Sequence, residues 1–370
     1  MFNPTFFTGE PHMEIVSKLQ FKRIEYLDIA RGLCIIAIVL GHLQISQINR
    51  FVFTFHIPVF FLITGYFFNP TETVLDTANH KIKTLIRPYF TASLLTIISS
   101  VAFNVIVFHK TVYEVINDVL HWLTASLYGA GGNITEPVVI PGIGAIWFLW
   151  ATMWGIIVTL LLIKLPRIAR FIAVIILVIL AKVSADHIMF LPLSIQPGLI
   201  AVLYIYAGYE WRNNKEKFVS MKTWIKVVVA ILALLVWAEF VLSFKSFWLV
   251  TCDLGRGVQD VVGSFCASAM ILAGAFFADK YGRKFTGFIR FLGRYSILTL
   301  AAHIIELNTF PWAEYEYLLS IKSVNSVIIL ILKIVIKFTW IYLFTLLFSR
   351  YNFTRMLFGM KLKRPQYKTA

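Results

Sequence analysis

Stretches of about twenty apolar residues recur along this 370-residue chain, and no other feature restricts its fold so sharply. A helix of that length crosses the hydrocarbon core of a bilayer, because it satisfies its own backbone hydrogen bonds where water cannot. Ten stretches qualify, at about 26–45, 50–68, 85–108, 145–164, 168–186, 190–211, 224–244, 258–279, 293–311 and 325–349. The sixth contains Pro192 and Pro197, which predicts a kink or short break there. Glu306 and Asn308 interrupt the ninth near its end. Only 14% of the residues are charged and 59% are hydrophobic, whereas soluble domains carry about a quarter charged residues. The expected fold class is all-α: a polytopic integral membrane protein with about ten transmembrane helices around a buried polar cavity.

A formal charge of +15 would suggest a nucleic-acid partner in a soluble protein. Here the basic residues lie in short loops between apolar stretches, so they report topology and no nucleic-acid partner is expected. With ten spans, alternate loops and the two tails hold 25 of the 34 basic residues, and the opposite loops hold six. That imbalance predicts both termini in the cytoplasm. The longest opposite segment, 109–144, contains GAGGN and two prolines and has no stretch long enough to span. It is expected to cover the outer mouth of a cavity. The expected division is an N-terminal tail at 1–25, a membrane domain at 26–349 and a basic tail at 350–370. The N-terminal stretch lacks the apolar core of a cleavable signal. Three cysteines make no disulfide framework.

Leu27 to His42, LDIARGLCIIAIVLGH, places three ionisable groups in the first span. Eleven residues at 100° each bring His42 almost back over Arg31 on one helix face, about 16 Å along the axis. Ionisable groups are costly in lipid, so they normally face a polar cavity and mark a functional path. Imidazole titrates near neutrality, so His42 can take a proton from an alcohol that attacks a carbonyl. Interhelical hydrogen bonding is the structural alternative. Arg31 can grip phosphate through its planar fork, or pair with Asp28 three residues earlier, and both can hold together. Arg87, before Pro88, suits phosphate equally well, or snorkels to lipid headgroups. His56 lies beside Pro58, where a carbonyl loses its usual donor. Thr64-Gly65 reads as a close helix contact. Ser296 and His303, two turns apart, can face one interior, with either a structural or a catalytic task for His303. Trp147 and Phe148 open the fourth span, where an aromatic belt is the default expectation. No GxxxxGK[ST] loop, HExxH zinc pattern or GxSxG elbow occurs, so no metal is expected.

LDIARGLCIIAIVLGH, with ten residues between Arg31 and His42, resembles the signature of the membrane acyltransferase-3 family. FHIPVFFLITGYFF, with His56, Pro58 and Gly65, is similar to that family's second-span motif, usually FFxxSG; Thr64 stands where serine is usual. IRPYF around Arg87, AIWFL around Trp147 and FLGRYSILTLAAH ending at His303 also resemble family positions. The resemblance runs from about residue 22 to 350, and its FHIPVFF form is similar to a fucose-acetylase-like branch that acts on sugars. The resemblance implies a bacterial inner membrane, and no appended hydrolase-like extracytoplasmic domain is expected. The resemblance implies transfer of an acyl group, most often acetyl from acetyl-CoA, to a hydroxyl of a cell-envelope or exported polysaccharide, or of a lipid-linked saccharide. Arg31 and Arg87 would then hold the CoA phosphates while His42 deprotonates the acceptor. The competing class is a transporter or flippase for a small polar or glycan substrate, with His42 and Arg31 as proton or anion sites. Acetyl-CoA-dependent acylation by the purified protein separates the two.

Overall fold

The computed structural model describes residues 23–362. The expected N-terminal tail, apart from its last residues, and the end of the basic tail lie outside them. Helices follow one another in the order α1 (Glu25–Gly41), α2 (Ser46–Val52), α3 (His56–Tyr66), α4 (Val74–Lys81), α5 (Arg87–Ile106), α6 (Val112–Tyr128), α7 (Trp147–Leu162) and α8 (Arg167–His187). Then come α9 (Ile195–Val219), α10 (Thr223–Leu242), α11 (Val258–Tyr281), α12 (Gly287–Arg294), α13 (Ser296–Thr309), α14 (Trp312–Ile321), α15 (Ser326–Phe348) and α16 (Asn352–Leu357). Among the described residues there is no strand, only two isolated bridges, Ile134–Ile140 and Trp248–Asp253. The architecture is all-α and polytopic, as expected.

Each of the ten expected spans falls on a helix, but the helices divide into two kinds. Six segments are long and apolar enough to cross a membrane alone: 46–66, 74–106, α8, α10, α11 and α15. The α12–α13 pair, bent by 87°, makes a seventh if it counts as one span. α1 and α7, with 17 and 16 residues, are shorter, and the second half of α9 carries Glu210, Arg212, Lys215, Glu216 and Lys217. Position explains the difference. α1, α7 and the first half of α9 are largely buried by other helices, so their length answers to packing and not to lipid thickness. α8 and α10 have almost no buried surface and turn rows of Ile, Leu and Val outward.

The expected break before α9 is present. A short 3-10 turn at Pro192–Ser194 carries Leu193 and Ser194 in the left-handed region. Pro197 follows in the first turn of α9, where its missing N–H costs no hydrogen bond. The 109–144 segment is more structured than its sequence suggested. Thr111 and Glu114 form a reciprocal capping box that starts α6, and Gly129 ends the helix in the left-handed conformation. α6 lies against α5: Asn104 donates to Asp118 at 2.7 Å, and the Tyr89 hydroxyl donates to the Ser126 carbonyl at 2.8 Å. At the C-terminal end, Phe358 is fully buried and Thr91 donates to the Leu357 carbonyl.

Two crossings of unusual closeness set the frame. α12 crosses α1, where a Cβ on Gly293 would meet the Asp28 carbonyl oxygen at 1.7 Å. α3 crosses α9 reciprocally: a Cβ on Gly65 would lie 1.9 Å from the Ile205 oxygen, and one on Gly208 would lie 2.1 Å from the Leu62 oxygen. Thr64 stays local, donating to the Phe60 carbonyl. Gly65→Ala must therefore push α3 off α9, at a cost of about 1–3 kcal/mol. A lowered melting temperature in detergent is expected, whereas Gly274→Ala, with open space around it, should melt like the parent. Equal melting of the two variants would contradict the crossing.

Candidate active site

His42 takes the C-cap position of α1, where its backbone N–H still reaches Ile38. The 87° bend between α12 and α13 aims α13 so that His303 meets it. His303 is fully buried, and one turn further along the same helix stands Glu306, 5% exposed. α15 contributes Lys337, 1% exposed, and α14 contributes Trp312.

The hydrogen bonds fix the order of protons. A carboxylate can only accept, so His303 Nδ1–H donates to Glu306 Oε1 at 2.8 Å. His303 Nε2 then bears a lone pair, and it faces His42 Nδ1 at 3.2 Å. The Ile38 carbonyl, 2.8 Å from the same nitrogen, is also only an acceptor. His42 Nδ1 therefore carries the proton and shares it between the two. Both contacts use one nitrogen, which leaves His42 Nε2 as the basic site of the ring. Glu306 is held in turn by Lys337 Nζ, 2.9 Å from each oxygen, and by the Trp312 indole N–H at 2.9 Å. The Trp312 ring lies 4.3 Å from the Lys337 ammonium. Such second-layer bonds orient an imidazole and stabilise the cation it becomes on taking a proton.

His42 opens onto a cavity of about 900 Å³ whose walls include Trp312, Tyr317, Lys333 and Lys337. Leu43, Phe310 and Ile329 add apolar surface to the same walls. Lys333 pairs with Glu316 of α14 across this space. A partly polar, partly apolar space beside an oriented base can seat an alcohol and pass its proton to the imidazole.

The other expected residues are not gathered there. Arg31 lies about 16 Å from His42 along α1, with its guanidinium 5.7 Å from the Phe67 ring. Asp28, 3% exposed, pairs chiefly with Arg23 and stands 3.8 Å from Arg31. Arg87 begins α5 after a π-helical turn at Ile82–Ile86, and its Nε finds no protein acceptor. His56 donates from Nδ1 to the Val52 carbonyl at 2.7 Å and thereby secures the break between α2 and α3. Ser296 starts α13, two turns before His303 and outside the chain of hydrogen bonds. Trp147 and Phe148 correct an expectation: they are 5% and 9% exposed, not part of an aromatic belt. The GAGGN loop folds onto them so tightly that a Cβ on Gly131 would lie 2.3 Å from Trp147.

Sequence reading treated Glu306 only as an interruption and passed over Lys337, a cation within the tenth apolar stretch. The usable signals were the three-residue spacing of His303 and Glu306 and the rule that a buried lysine needs a counter-ion. Lys337→Met would leave Glu306 buried without its cation, at a cost of about 3–5 kcal/mol. The double variant Glu306→Gln/Lys337→Met should recover most of that loss in a detergent melt. Full stability of Lys337→Met alone would show that the charge pair does not hold α13 to α15.

A family model described as an acyltransferase domain matches residues 24–350. Comparison with curated proteins and with solved structures gives no match.

Proposed function

The chain belongs to the membrane acyltransferase-3 family, and from that premise we propose that it moves an acetyl group from acetyl-CoA to a hydroxyl of a cell-envelope or exported glycan. The observation that carries this reading is His42, which lines the cavity of about 900 Å³, spends both of its ring contacts on Nδ1 and is backed by His303 and Glu306.

The chemistry needs one base and one leaving group. The acceptor hydroxyl gives its proton to His42 Nε2 while its oxygen attacks the thioester carbonyl. The C–O bond forms and the C–S bond breaks. The departing CoA thiolate then receives the proton from His42, so ester and free thiol are the products. His303 steadies the imidazolium through the lone pair of its Nε2, and Glu306 keeps that lone pair facing His42. The buried pair Glu306–Lys337 is not consumed, and its role is to hold the second histidine in one tautomer.

The donor is assigned to the opposite end of α1. CoA carries phosphates, and Arg31 is a partly exposed guanidinium that makes no hydrogen bond among the described residues. A separation of about 16 Å between Arg31 and His42 is close to the reach of a pantetheine arm. Arg87, whose Nε also lacks an acceptor, is a second candidate for the same anion. The distribution of basic residues supports a cytoplasmic Arg31 end and an outer His42 end, and the family membership favours a bacterial inner membrane.

His42→Ala should abolish acylation of the envelope glycan while the protein remains in the membrane at normal abundance. A general base contributes typically 10²–10⁴-fold, and His303 cannot replace it because its own Nε2 points at the position vacated and not into the cavity. Mass spectrometry of glycans from cells carrying each form reads the result. Wild-type acylation in the variant would make His42 a structural residue and end this mechanism.

A further inference from the structure

At the Arg31 end of α1 the ion pairs are distributed in an order that helix spacing alone does not give. Asp28 lies three residues before Arg31, the usual distance for an internal pair. Its carboxylate is nevertheless taken by Arg23, which donates from Nη2 to Oδ1 at 3.0 Å and from Nε to Oδ2. Arg31 comes no closer to Oδ1 than 3.8 Å, beyond hydrogen-bond reach. Its guanidinium rests near Phe67, and its side chain is 28% exposed. Among the described residues no acceptor is in hydrogen-bond range of it.

The neighbouring arginines are not in that condition. Arg212 donates to the Tyr66 and Phe68 carbonyls, Arg283 donates to Glu25, and Arg290 donates to Asp279. Arg31 alone of this group makes no hydrogen bond among the described residues, and it is rigidly mounted on a buried helix. A guanidinium so placed suits a phosphate, whose oxygens match its fork. Asp28 is the one group that threatens this. It is 3% exposed, so a carboxylate deprived of Arg23 would have to find another cation, and Arg31 needs to move by only about 1 Å to serve.

We propose that Arg23 is a positioning residue: by occupying Asp28 it keeps the Arg31 fork free for a phosphate of the CoA donor. The inference rests on the donor reading given above. A phosphate could also come from an anionic lipid headgroup, so the test must separate the two.

The probe is CoA itself, titrated calorimetrically into the purified full chain in nanodiscs of phosphatidylcholine, and again with phosphatidylglycerol added. Arg31→Lys serves as reference and should weaken CoA binding about tenfold in both bilayers, the scale of a charge-assisted bond. Arg23→Gln should weaken it by a similar factor although Arg23 does not touch CoA, because Asp28 then captures Arg31. Adding Asp28→Asn to Arg23→Gln should restore affinity to within about twofold of the parent. Simple loss of fold would not be reversed by removing a second charge. Arg23→Lys, which keeps a partner on Asp28, should bind nearly as well as the parent.

If Arg31→Lys binds CoA like the parent, the donor reading itself falls, and a parental affinity weakened only by phosphatidylglycerol would give Arg31 to lipid. If Arg31→Lys is weak and Arg23→Gln is not, the donor reading stands and the positioning role is wrong. If the double variant stays as weak as Arg23→Gln, Arg23 acts on the ligand directly and the inference is overturned.

Discussion

A carboxylate buried among helices is tolerated only when donors meet its oxygens, and Glu306 shows what that requirement builds. His303, Lys337 and Trp312 all converge on it, from α13, α15 and α14. Hydrogen bonds to a charged group are worth roughly 1.5–3 kcal/mol each, so this node ties three helices together as well as carrying a charge. The same bonds dictate where the histidine protons sit. An acceptor-only carboxylate forces His303 to turn its lone pair on His42, and His42 to keep its own lone pair for the cavity. Stability and chemistry thus share one physical cause.

The arrangement depends on rigid geometry elsewhere. α1 is buried along most of its length, so Arg31 and His42 cannot drift relative to each other. The close crossing of α12 over α1 and the 87° bend that follows bring α13 alongside the end of α1. Without that bend His303 would run past the first span. One helix therefore carries a cation at one end and a base at the other. On the proposed reading, that separation suits a donor with its nucleotide at one end and its thioester at the other.

Much of this was readable in the sequence, and the unreadable part has physical reasons. The apolar stretches marked where helices lie, because a lipid-facing or wholly buried helix must be apolar along its length. They could not tell the two kinds apart, so α1 and α7 read like the lipid-facing helices although they are shorter and buried by others. α6 escaped because Glu114, Asn117 and Asp118 break its apolar run, while the Asn104–Asp118 bond that accommodates them is a tertiary contact. That Arg31 and His42 share one helix was evident from the run of apolar residues between them. Glu306 and Lys337 were visible as costly residues, but their pairing across 31 positions needs the fold. Trp147 was misjudged because an aromatic at a span boundary looks the same under a loop as it does in a headgroup layer.

The central claim is that the Glu306 carboxylate sets the protons on both histidines, and nitrogen chemical shifts measure this directly. Protein labelled with ¹⁵N-histidine and held in lipid bilayers near neutral pH gives separate signals for protonated and bare ring nitrogens, and His42→Gln and His303→Gln variants assign them. The account predicts neutral rings at both positions, each with its proton on Nδ1 and none on Nε2. A proton on Nε2 of His42 in the resting protein would contradict it, because the nitrogen left free by the contacts of Nδ1 would then be a donor and not a base.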